Sequence, residues 1–315
     1  MNQSVTLESL QLHFPSAMIG RSLVIHANCF DWLQAVPENT LHAMVTDPPY
    51  GLKEYEYEQI AKRNKGEGGI WRIPPSFDGH ERSPLPRFTA LNAKERGILK
   101  DFFIEWGRMA LRALRPGAHI FLASSTFLSQ MVFSAIVESG LEFRGEVIRL
   151  VQTLRGGDRP KNAEQEYPNV ASLPRGSYEP WGLFRKPIPL GMRVSDCLRE
   201  YGTGGLRRLP DGNPFSDVIP SERTPKKERA IADHPSLKPQ SFLRQVVYAA
   251  LPLGTGILAD PFMGSGSTIA AAEALGLCSV GVERHNAYYH MSLEVIPKLS
   301  GLEHPIQGHH RRLFS

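Results

Sequence analysis

Short apolar runs alternate with longer amphipathic stretches over most of the chain. The apolar runs predict strands at residues 22–26, 41–46, 119–123, 143–151, 256–259 and 278–282. The amphipathic stretches predict helices at residues 29–36, 94–114, 127–139, 240–251 and 267–275. Strands that alternate with helices in this way are typical of an α/β fold, so we expect one sheet with helices packed against it.

Two segments break the alternation. Residues 52–90 are polar and rich in glycine and proline, and we expect a long loop there. In residues 152–233 prolines and glycines also recur and there is no long periodic segment, which predicts a loop-rich insert between two α/β blocks. Residues 1–19 and 301–315 are predicted to be tails outside the core.

Composition narrows the choice of protein class. A chain of 315 residues with 41% hydrophobic residues can bury one α/β core and a smaller additional region. It has no apolar run of about 18 residues and no signal-peptide pattern at its N-terminus, so we expect a cytoplasmic protein that does not cross a membrane. Its three cysteines are scattered, and we expect neither a disulfide framework nor a metal site.

Positive charge is concentrated in the middle of the chain. The formal net charge is +4, and residues 144–244 alone contain 18 lysines and arginines against 12 acidic residues. A solvated surface without any partner explains this imbalance as well as an anionic partner does. The interpretation therefore depends on whether neighbouring motifs carry chemistry that acts on a polyanion.

The first motif is the glycine-rich turn of residues 260–268, between a predicted strand and an alanine-rich helix. Its glycines allow a ligand to approach the backbone, and the helix N-terminus attracts an anionic group. Glu283, at the end of the next strand, is placed to accept hydrogen bonds from a ribose. Ile269 stands where a dinucleotide fingerprint requires a third glycine, and the lysine of a P-loop is missing. A purely structural turn stays open as the alternative.

The second motif is Asp47-Pro48-Pro49-Tyr50. Consecutive prolines cannot continue a central strand, so the motif must be a rigid turn at the carboxyl end of a strand, where open α/β sheets bind ligands. A plain turn with a surface tyrosine would explain it too. Alternatively, Asp47 and the Pro48 carbonyl accept hydrogen bonds from an exocyclic amine of a nucleobase, and Tyr50 stacks on a base extruded from the duplex.

Together the two motifs resemble those of the S-adenosylmethionine-dependent DNA amino-methyltransferases of the beta class, which modify N6 of adenine or N4 of cytosine. Asp47-Pro48-Pro49-Tyr50 is similar to the family's catalytic tetrapeptide, and residues 260–266 are similar to its cofactor loop. Residues 234–239 are similar to the family's His-Pro-Thr-Gln-Lys-Pro stretch, and residues 115–117 match the turn before a central strand. The resemblance extends over residues 21–298.

The resemblance implies a Rossmann-like methyltransferase sheet with a circularly permuted motif order and a loop-rich inserted target-recognition region. Residues 20–151 would form the catalytic half, 152–233 the end of the core and the insert, and 234–300 the half that binds S-adenosylmethionine. The implied catalytic residues are Asp47, Pro48, Pro49 and Tyr50. The implied cofactor-binding residues are Asn28, His234, Ser236, Lys238, Asp260, Phe262, Gly264, Gly266, Ser267, Thr268 and Glu283.

Two departures from the family pattern matter. Asn28 stands where many relatives have aspartate, and we expect it to accept a hydrogen bond from the adenine amine of the cofactor. Residues 187–233 match nothing in the family pattern; their length suits target recognition and their basic residues suit phosphate contacts, with a solvated loop as the alternative. The expected DNA-binding residues are Arg193, Arg207, Arg208, Arg223, Lys226, Lys227 and Arg229.

The predicted reaction is transfer of a methyl group from S-adenosylmethionine to N6 of a flipped adenine in duplex DNA. Adenine is favoured over cytosine N4 because aspartate is the first residue of the tetrapeptide. Methylation of cytosine C5 is excluded, since it requires a thiolate that usually follows proline and no Pro-Cys pair occurs.

The alternative functions are methylation of an RNA or protein-amide target, a nicotinamide-dependent dehydrogenase and a non-catalytic DNA-binding protein. A cognate restriction endonuclease and a homodimer are left open as partners.

Overall fold

The computed structural model describes residues 6–49, 93–151, 163, 165–171, 174, 176–232 and 237–304. These residues form a nine-stranded sheet with helices on both faces, and none of their helices is long and apolar enough to cross a membrane. The strands are β1 (Ser16–Ile19), β2 (Ser22–His26), β3 (Leu41–Thr46), β4 (Leu114–Ala123), β5 (Glu142–Leu150), β6 (Tyr178–Arg185), β7 (Val218–Pro220), β8 (Ile257–Asp260) and β9 (Cys278–Glu283). The helices are α1 (Cys29–Ala35), α2 (Ala93–Ala113), α3 (Ser129–Glu138), α4 (Val194–Tyr201), α5 (Lys226–Arg229), α6 (Gln240–Ala250), α7 (Ser267–Ala274) and α8 (Asn286–Ser300), with a short 3-10 helix at Glu8–Leu10.

The strand order of the sheet is β1-β2-β9-β8-β3-β4-β6-β5-β7. Strands β2, β9, β8, β3 and β4 pair in parallel, whereas β6 runs antiparallel to both β4 and β5. The carboxyl ends of the parallel strands therefore lie at one side of the sheet, which we call the carboxyl edge; the opposite side is the amino edge. Strands β8 and β9, from late in the chain, lie between β2 and β3, from early in the chain. This order confirms the predicted α/β, Rossmann-like sheet.

Apolar side chains cover both faces of the sheet. On one face Trp32 of α1 and Trp106 of α2 are fully buried against the strands. On the other face Phe242 of α6 packs with Trp181 and Phe121 of the sheet. Strands that are covered on both faces need apolar residues at nearly every position. This explains why most strands are readable in the sequence as continuous apolar runs.

The predicted helices and strands are confirmed to within two residues at each end, except at β4. This strand begins at Leu114 rather than at residue 119, because Arg115-Pro116-Gly117 continues it through an irregularity in its register with β3. Gly117 has a φ of +75°, and a Cβ atom there would lie 2.6 Å from Sγ of Cys197. Glycine is therefore required where the segment of α4 packs on the sheet.

Strand β6 lies inside residues 152–233, which were predicted to be the end of the core and a loop-rich insert. It is an interior strand, paired with β4 on one side and β5 on the other. Pro180 and Gly182 conceal it in the sequence, because both residue types are unfavourable in strands. Pairing on both sides overrides this preference; for example, the Ser124 N–H donates a hydrogen bond to the Pro180 carbonyl at 2.9 Å.

The described residues before β2 pack onto the core. Strand β1 pairs antiparallel with β2, and Leu10 is fully buried. The Leu10 carbonyl accepts a hydrogen bond from Nε1 of Trp32 at 3.2 Å. The structure thus extends the core into residues that were predicted to be a tail, because the outer side of β2 offers a ladder for a further strand.

We expect Leu10→Ala to destabilise the protein by about 2–5 kcal/mol, because it removes a fully buried side chain and leaves a cavity. Leu190→Ala is the matched control: Leu190 is fully exposed, so its truncation should change the free energy of unfolding by less than about 0.5 kcal/mol. Urea unfolding followed by circular dichroism measures both variants. Equal stability of the two would mean that the N-terminal residues do not contribute to the core.

Candidate active site and cofactor site

The two sequence motifs meet at the carboxyl edge of the sheet. Strands β3 and β8 are parallel neighbours, paired through Met44 and Ala259. Thr46, the last residue of β3, donates a hydrogen bond from Oγ1 to Oδ1 of Asp260, the last residue of β8, at 2.7 Å. Asp47 follows directly, so the motifs begin side by side although Thr46 and Asp260 are 214 positions apart in the chain.

Asp47 is held by a lysine from the other half of the chain. Its Oδ2 accepts a hydrogen bond from Nζ of Lys238, which lies shortly before α6, at 2.5 Å. The Lys238 and Asp47 side chains are only 12% and 15% exposed. Burial lowers the pKa of Lys238, but Asp47 and Glu179 beside it have the larger combined effect, and the pKa lies above its ordinary value. Lys238 is therefore a cation next to Asp47.

Lys238 belongs to a row of alternating charges. Its Nζ lies 3.6 Å from Oε2 of Glu179 on β6, and the same oxygen lies 3.4 Å from Nη1 of Arg149 on β5. Nε1 of Trp181 donates a hydrogen bond to Oε1 of Glu179 at 2.8 Å. Neither Glu179 nor Arg149 is among the residues predicted from the sequence. No local signal distinguishes either residue, since β5 contains three other charged residues and Pro180 and Gly182 conceal β6.

Asp260 is buried and holds the start of the glycine-rich turn in place. Burial raises its pKa to about 6, while hydrogen bonds from Thr46, Thr268 and the Phe262 N–H oppose this increase and the nearby Asp47 adds to it. The Phe262 N–H donates to Oδ1 of Asp260 at 3.1 Å. Asp260 thus connects β3, the turn and α7.

The glycine-rich turn lets the side chain of Ile296 on α8 lie close to its backbone. Gly266 has a φ of +88°, and a Cβ atom there would lie 2.5 Å from Cγ1 of Ile296. Ser267 begins α7, and its carbonyl accepts a hydrogen bond from Nε2 of Gln240 at 2.8 Å. This bond connects the start of α7 to the start of α6, just after Lys238.

Glu283 ends β9 beside the same turn. Its Oε2 accepts a hydrogen bond from the Gly264 N–H at 3.1 Å, and its Oε1 accepts one from the His285 N–H at 2.7 Å. A carboxylate can accept about four hydrogen bonds, so each oxygen retains capacity for a hydroxyl group. A fixed carboxylate next to a glycine-rich turn fits a cofactor that contains a ribose.

Asn28 and Phe262 lie near this carboxylate, toward α1 and α2. Asn28 caps α1, since its Oδ1 accepts a hydrogen bond from the Phe30 N–H at 3.0 Å. The N–H of the preceding residue donates to the Glu283 carbonyl at 3.1 Å, which places Asn28 next to the end of β9. The ring of Phe262 packs on that of Phe102, with centroids 6.2 Å apart.

The other residues of the predicted site are only partly described. Pro48 is buried and Pro49 is exposed, so the turn after β3 reaches the surface at its second proline. Tyr50, His234 and Ser236 lie outside the described residues, and their roles stay predictions.

Four of the predicted DNA-binding residues lie at the same edge as Asp47. All four follow β7 in the chain and have exposed side chains. They are Arg223, Lys226, Lys227 and Arg229. The Thr224 hydroxyl donates a hydrogen bond to the Leu237 carbonyl at 2.5 Å, immediately before Lys238. Residues 223–229, which we call the basic segment, therefore adjoin the Asp47–Lys238 pair.

The other three predicted DNA-binding residues lie at the amino edge. Arg193 precedes α4, which packs on Gly117 near the start of β4. Arg207 lies over the ring of Tyr248 near the end of α6, 4.1 Å from the ring centroid, and Arg208 is exposed beside it. Strand β7 runs from the amino edge to the carboxyl edge between these residues and the basic segment, so the two groups lie at opposite edges of the sheet.

The family model of the N6/N4 methyltransferases, described as DNA methylase, matches residues 41–294 of the chain. The type II methyltransferase M.HindIII of Haemophilus influenzae is 23% identical over 282 residues, which cover 83% of this chain and 90% of that protein. The type II methyltransferase M2.DpnII of Streptococcus pneumoniae is 21% identical over 269 residues, which cover 85% of this chain and 87% of that protein.

Solved structures share the fold. The PvuII DNA methyltransferase, which is cytosine-N4-specific, has a TM-score of 0.56 at 12% identity, with 89% of this chain and 91% of that chain covered. TTHA0409 of Thermus thermophilus, in complex with S-adenosyl-L-methionine, has a TM-score of 0.54 at 17% identity, with 90% and 97% covered. Since the family model spans both motifs and the strands that place them together, the chain belongs to the S-adenosylmethionine-dependent N6/N4 DNA amino-methyltransferases.

Proposed function

We propose that this protein methylates N6 of a flipped adenine at a specific site in duplex DNA, in the cytoplasm. The observation that carries the proposal is the position of Asp47, which follows β3 at the same edge as the glycine-rich turn and Glu283. A target amine bound at Asp47 would be close to a cofactor bound at the turn. Such proximity supplies much of the rate of a group transfer.

Asp47 and the Pro48 carbonyl are the proposed acceptors for the target amine. The lone pair of an exocyclic amine is delocalised into the base, which makes the amine a poor nucleophile. Two acceptors that face its N–H groups favour a tetrahedral nitrogen and localise the lone pair, and the two prolines keep these acceptors in place. Stacking on Tyr50 offsets part of the unstacking free energy of the flipped base.

The cofactor role of the other motif residues follows the family pattern. When bound, S-adenosylmethionine would supply an electrophilic methyl group on its sulfonium, and its transfer to the amine nitrogen would release a neutral thioether and one amine proton. Glu283 accepts hydrogen bonds from the ribose, and Asn28 accepts one from the adenine amine. Lys238 has three N–H donors, so it can bind a carboxylate of the cofactor while it binds Asp47. The remaining proposed contacts are those of His234, Ser236, Phe262, Gly264, Gly266, Ser267 and Thr268, with Asp260 supporting the turn.

Adenine is the proposed target base because the tetrapeptide begins with aspartate, which in this family favours adenine. Cytosine N4 is the alternative, since the same two acceptors can face either amine. The PvuII enzyme shares the fold and carries a cytosine-N4 designation, so the fold is compatible with both bases. Identification of the methylated base distinguishes them.

The basic segment is the proposed DNA-binding surface. It lies beside the Asp47–Lys238 pair and exposes four cations in seven positions, as expected for contacts to phosphates on either side of a flipped base. Arg193, Arg207 and Arg208 are not included in this surface. Because M.HindIII and M2.DpnII are type II methyltransferases, a cognate restriction endonuclease is the proposed partner; a homodimer remains a prediction from the family resemblance.

Transfer of a labelled methyl group from S-adenosylmethionine to duplex DNA tests the proposal, and nucleoside analysis should find the label in N6-methyladenine. Asp47→Ala should reduce transfer by about 10²–10³-fold or more, because it removes an acceptor that acts in the transition state. The cofactor Kd, measured by calorimetry, should change by less than about fivefold, because Asp47 is proposed to contact the target amine and not the cofactor.

Label in N4-methylcytosine would favour the alternative base while leaving the role of Asp47 unchanged. Full activity of Asp47→Ala would contradict the proposed mechanism for either base.

Glu283→Ala should increase the cofactor Kd by about tenfold or more, because hydrogen bonds to a charged group are each worth about 1.5–3 kcal/mol. Glu294→Ala on α8 removes the same group from a side chain that is 78% exposed, and it should leave the Kd unchanged. Calorimetry with S-adenosylmethionine measures both variants. An unchanged Kd for Glu283→Ala would exclude the ribose contact.

The double substitution Lys226→Glu/Lys227→Glu should weaken DNA binding and make the dependence of log Kd on log salt concentration shallower by about two units, if each lysine neutralises one phosphate. Arg193→Glu/Arg208→Glu reverses the same amount of charge at the amino edge and is the matched control. Fluorescence anisotropy with a labelled duplex measures both slopes. A larger effect of the control pair would place the DNA at the amino edge.

A further inference from the structure

We propose that Glu179 is a positioning residue for methyl transfer, which holds the Lys238 ammonium between two carboxylates and so keeps Asp47 available as an acceptor. The inference rests on the proposed role of Asp47 in binding the target amine. Glu179 acts through Lys238 and needs no contact with the base or the cofactor.

The distances support a shared cation. Nζ of Lys238 lies 2.5 Å from Oδ2 of Asp47 and 3.6 Å from Oε2 of Glu179, and Nη1 of Arg149 lies 3.4 Å from the same oxygen of Glu179. The signs of the four charges alternate, and the side chains are between 7% and 22% exposed. Charges that are shielded from water interact more strongly than charges at the surface, so a change of one charge affects the others.

Buried aromatic rings fix the position of Glu179. Trp181 and Phe242 are fully buried with centroids 5.2 Å apart, and Nε1 of Trp181 donates its hydrogen bond to Oε1 of Glu179. The Arg149 guanidinium lies over Phe242, 5.5 Å from the ring centroid. A carboxylate that is held by a buried ring on one oxygen and by cations on the other has little freedom to move away. This rigidity suits a residue that positions another.

Arg149 connects this row of charges to the DNA-binding surface. Its Nε donates to Oγ of Ser221 at 3.0 Å, and its Nη2 donates to the Glu222 carbonyl at 2.8 Å. These two residues immediately precede the basic segment. Glu179 therefore lies between Arg149, which holds the start of the basic segment, and the Asp47–Lys238 pair. From this position it affects the chemical step without contacting DNA.

Loss of the Glu179 charge has a defined physical consequence. Lys238 would then lose one of its two protein carboxylate partners and bind Asp47 more tightly. Asp47 would become a weaker hydrogen-bond acceptor for the target amine. The chemical step should slow, whereas cofactor binding should not weaken, because removal of a negative charge does not repel the carboxylate of the cofactor.

Glu179→Gln is the decisive variant. The amide keeps the length of the side chain and an oxygen that accepts the Trp181 hydrogen bond, but it directs N–H donors at Lys238 and Arg149. We expect kcat for methyl transfer to fall by about tenfold to a hundredfold, as for small displacements of reacting groups. The Kd for S-adenosylmethionine should remain near its wild-type value, whereas the midpoint of thermal unfolding should fall, because Lys238 and Arg149 lose a carboxylate partner. Glu146→Gln, an exposed position on β5, is the matched control with unchanged kcat.

Glu179→Asp provides the complementary readout, because it keeps the charge but shortens the side chain. If the charge of Glu179 positions Lys238, Glu179→Asp should retain more kcat than Glu179→Gln. If Glu179 serves only to accept the Trp181 hydrogen bond, the order should be reversed. A kcat of Glu179→Gln within twofold of wild type at a temperature where the variant is fully folded, or a loss of kcat that is accompanied by an equal loss of cofactor affinity, overturns the inference. If Asp47→Ala is inactive and Glu179→Gln is fully active, the inference alone fails; if Asp47→Ala is active, the proposed function fails with it.

Discussion

The parallel pairing of β3 with β8 is the constraint on which the site depends. It aligns Thr46 with Asp260 closely enough for a side-chain hydrogen bond of 2.7 Å between residues 214 positions apart. Because side chains alternate between the two faces of a strand, a shift of one residue in this register would move the side chains of the shifted strand to the opposite face of the sheet. The core packed on both faces of the sheet opposes such a shift, so the packing of apolar residues far below the site determines which polar groups meet at its edge.

Polar groups at the carboxyl edge are held by hydrogen bonds and ion pairs with one another. Asp260 is buried and shares hydrogen bonds with β3, the turn and α7, while Asp47, Lys238, Glu179 and Arg149 pair with one another. Removal of one partner from a buried pair typically costs about 3–5 kcal/mol, because the other charge is left without compensation. Each of these side chains therefore depends on its partners for stability, and the pairing fixes the orientation of the Asp47 and Asp260 carboxylates.

The elements that could be predicted are those whose signal is local. Continuous apolar runs identify β2, β3, β8 and β9, and the order of the two motifs identifies the family. Strand β6 has no such signal, since Pro180 and Gly182 are compatible with a loop and the strand forms only because two neighbours supply its hydrogen bonds. For the same reason Glu179 could not be recognised: its relation to Lys238 arises from the placement of β6 beside β4 and β5.

Local motifs were thus readable in the chain: an aspartate followed by a rigid proline turn, a glycine-rich turn before a helix, and an acid at the end of the following strand. Each of these motifs consists of particular residue types at fixed short spacings, and its local conformation does not depend on distant segments of the chain. The division of the seven basic residues between two edges, and the row of charges behind Asp47, depend instead on where long-range pairing and packing place each segment. Spacing along the chain carries no information about that placement, because it results from the sum of many weak contacts over the whole sheet.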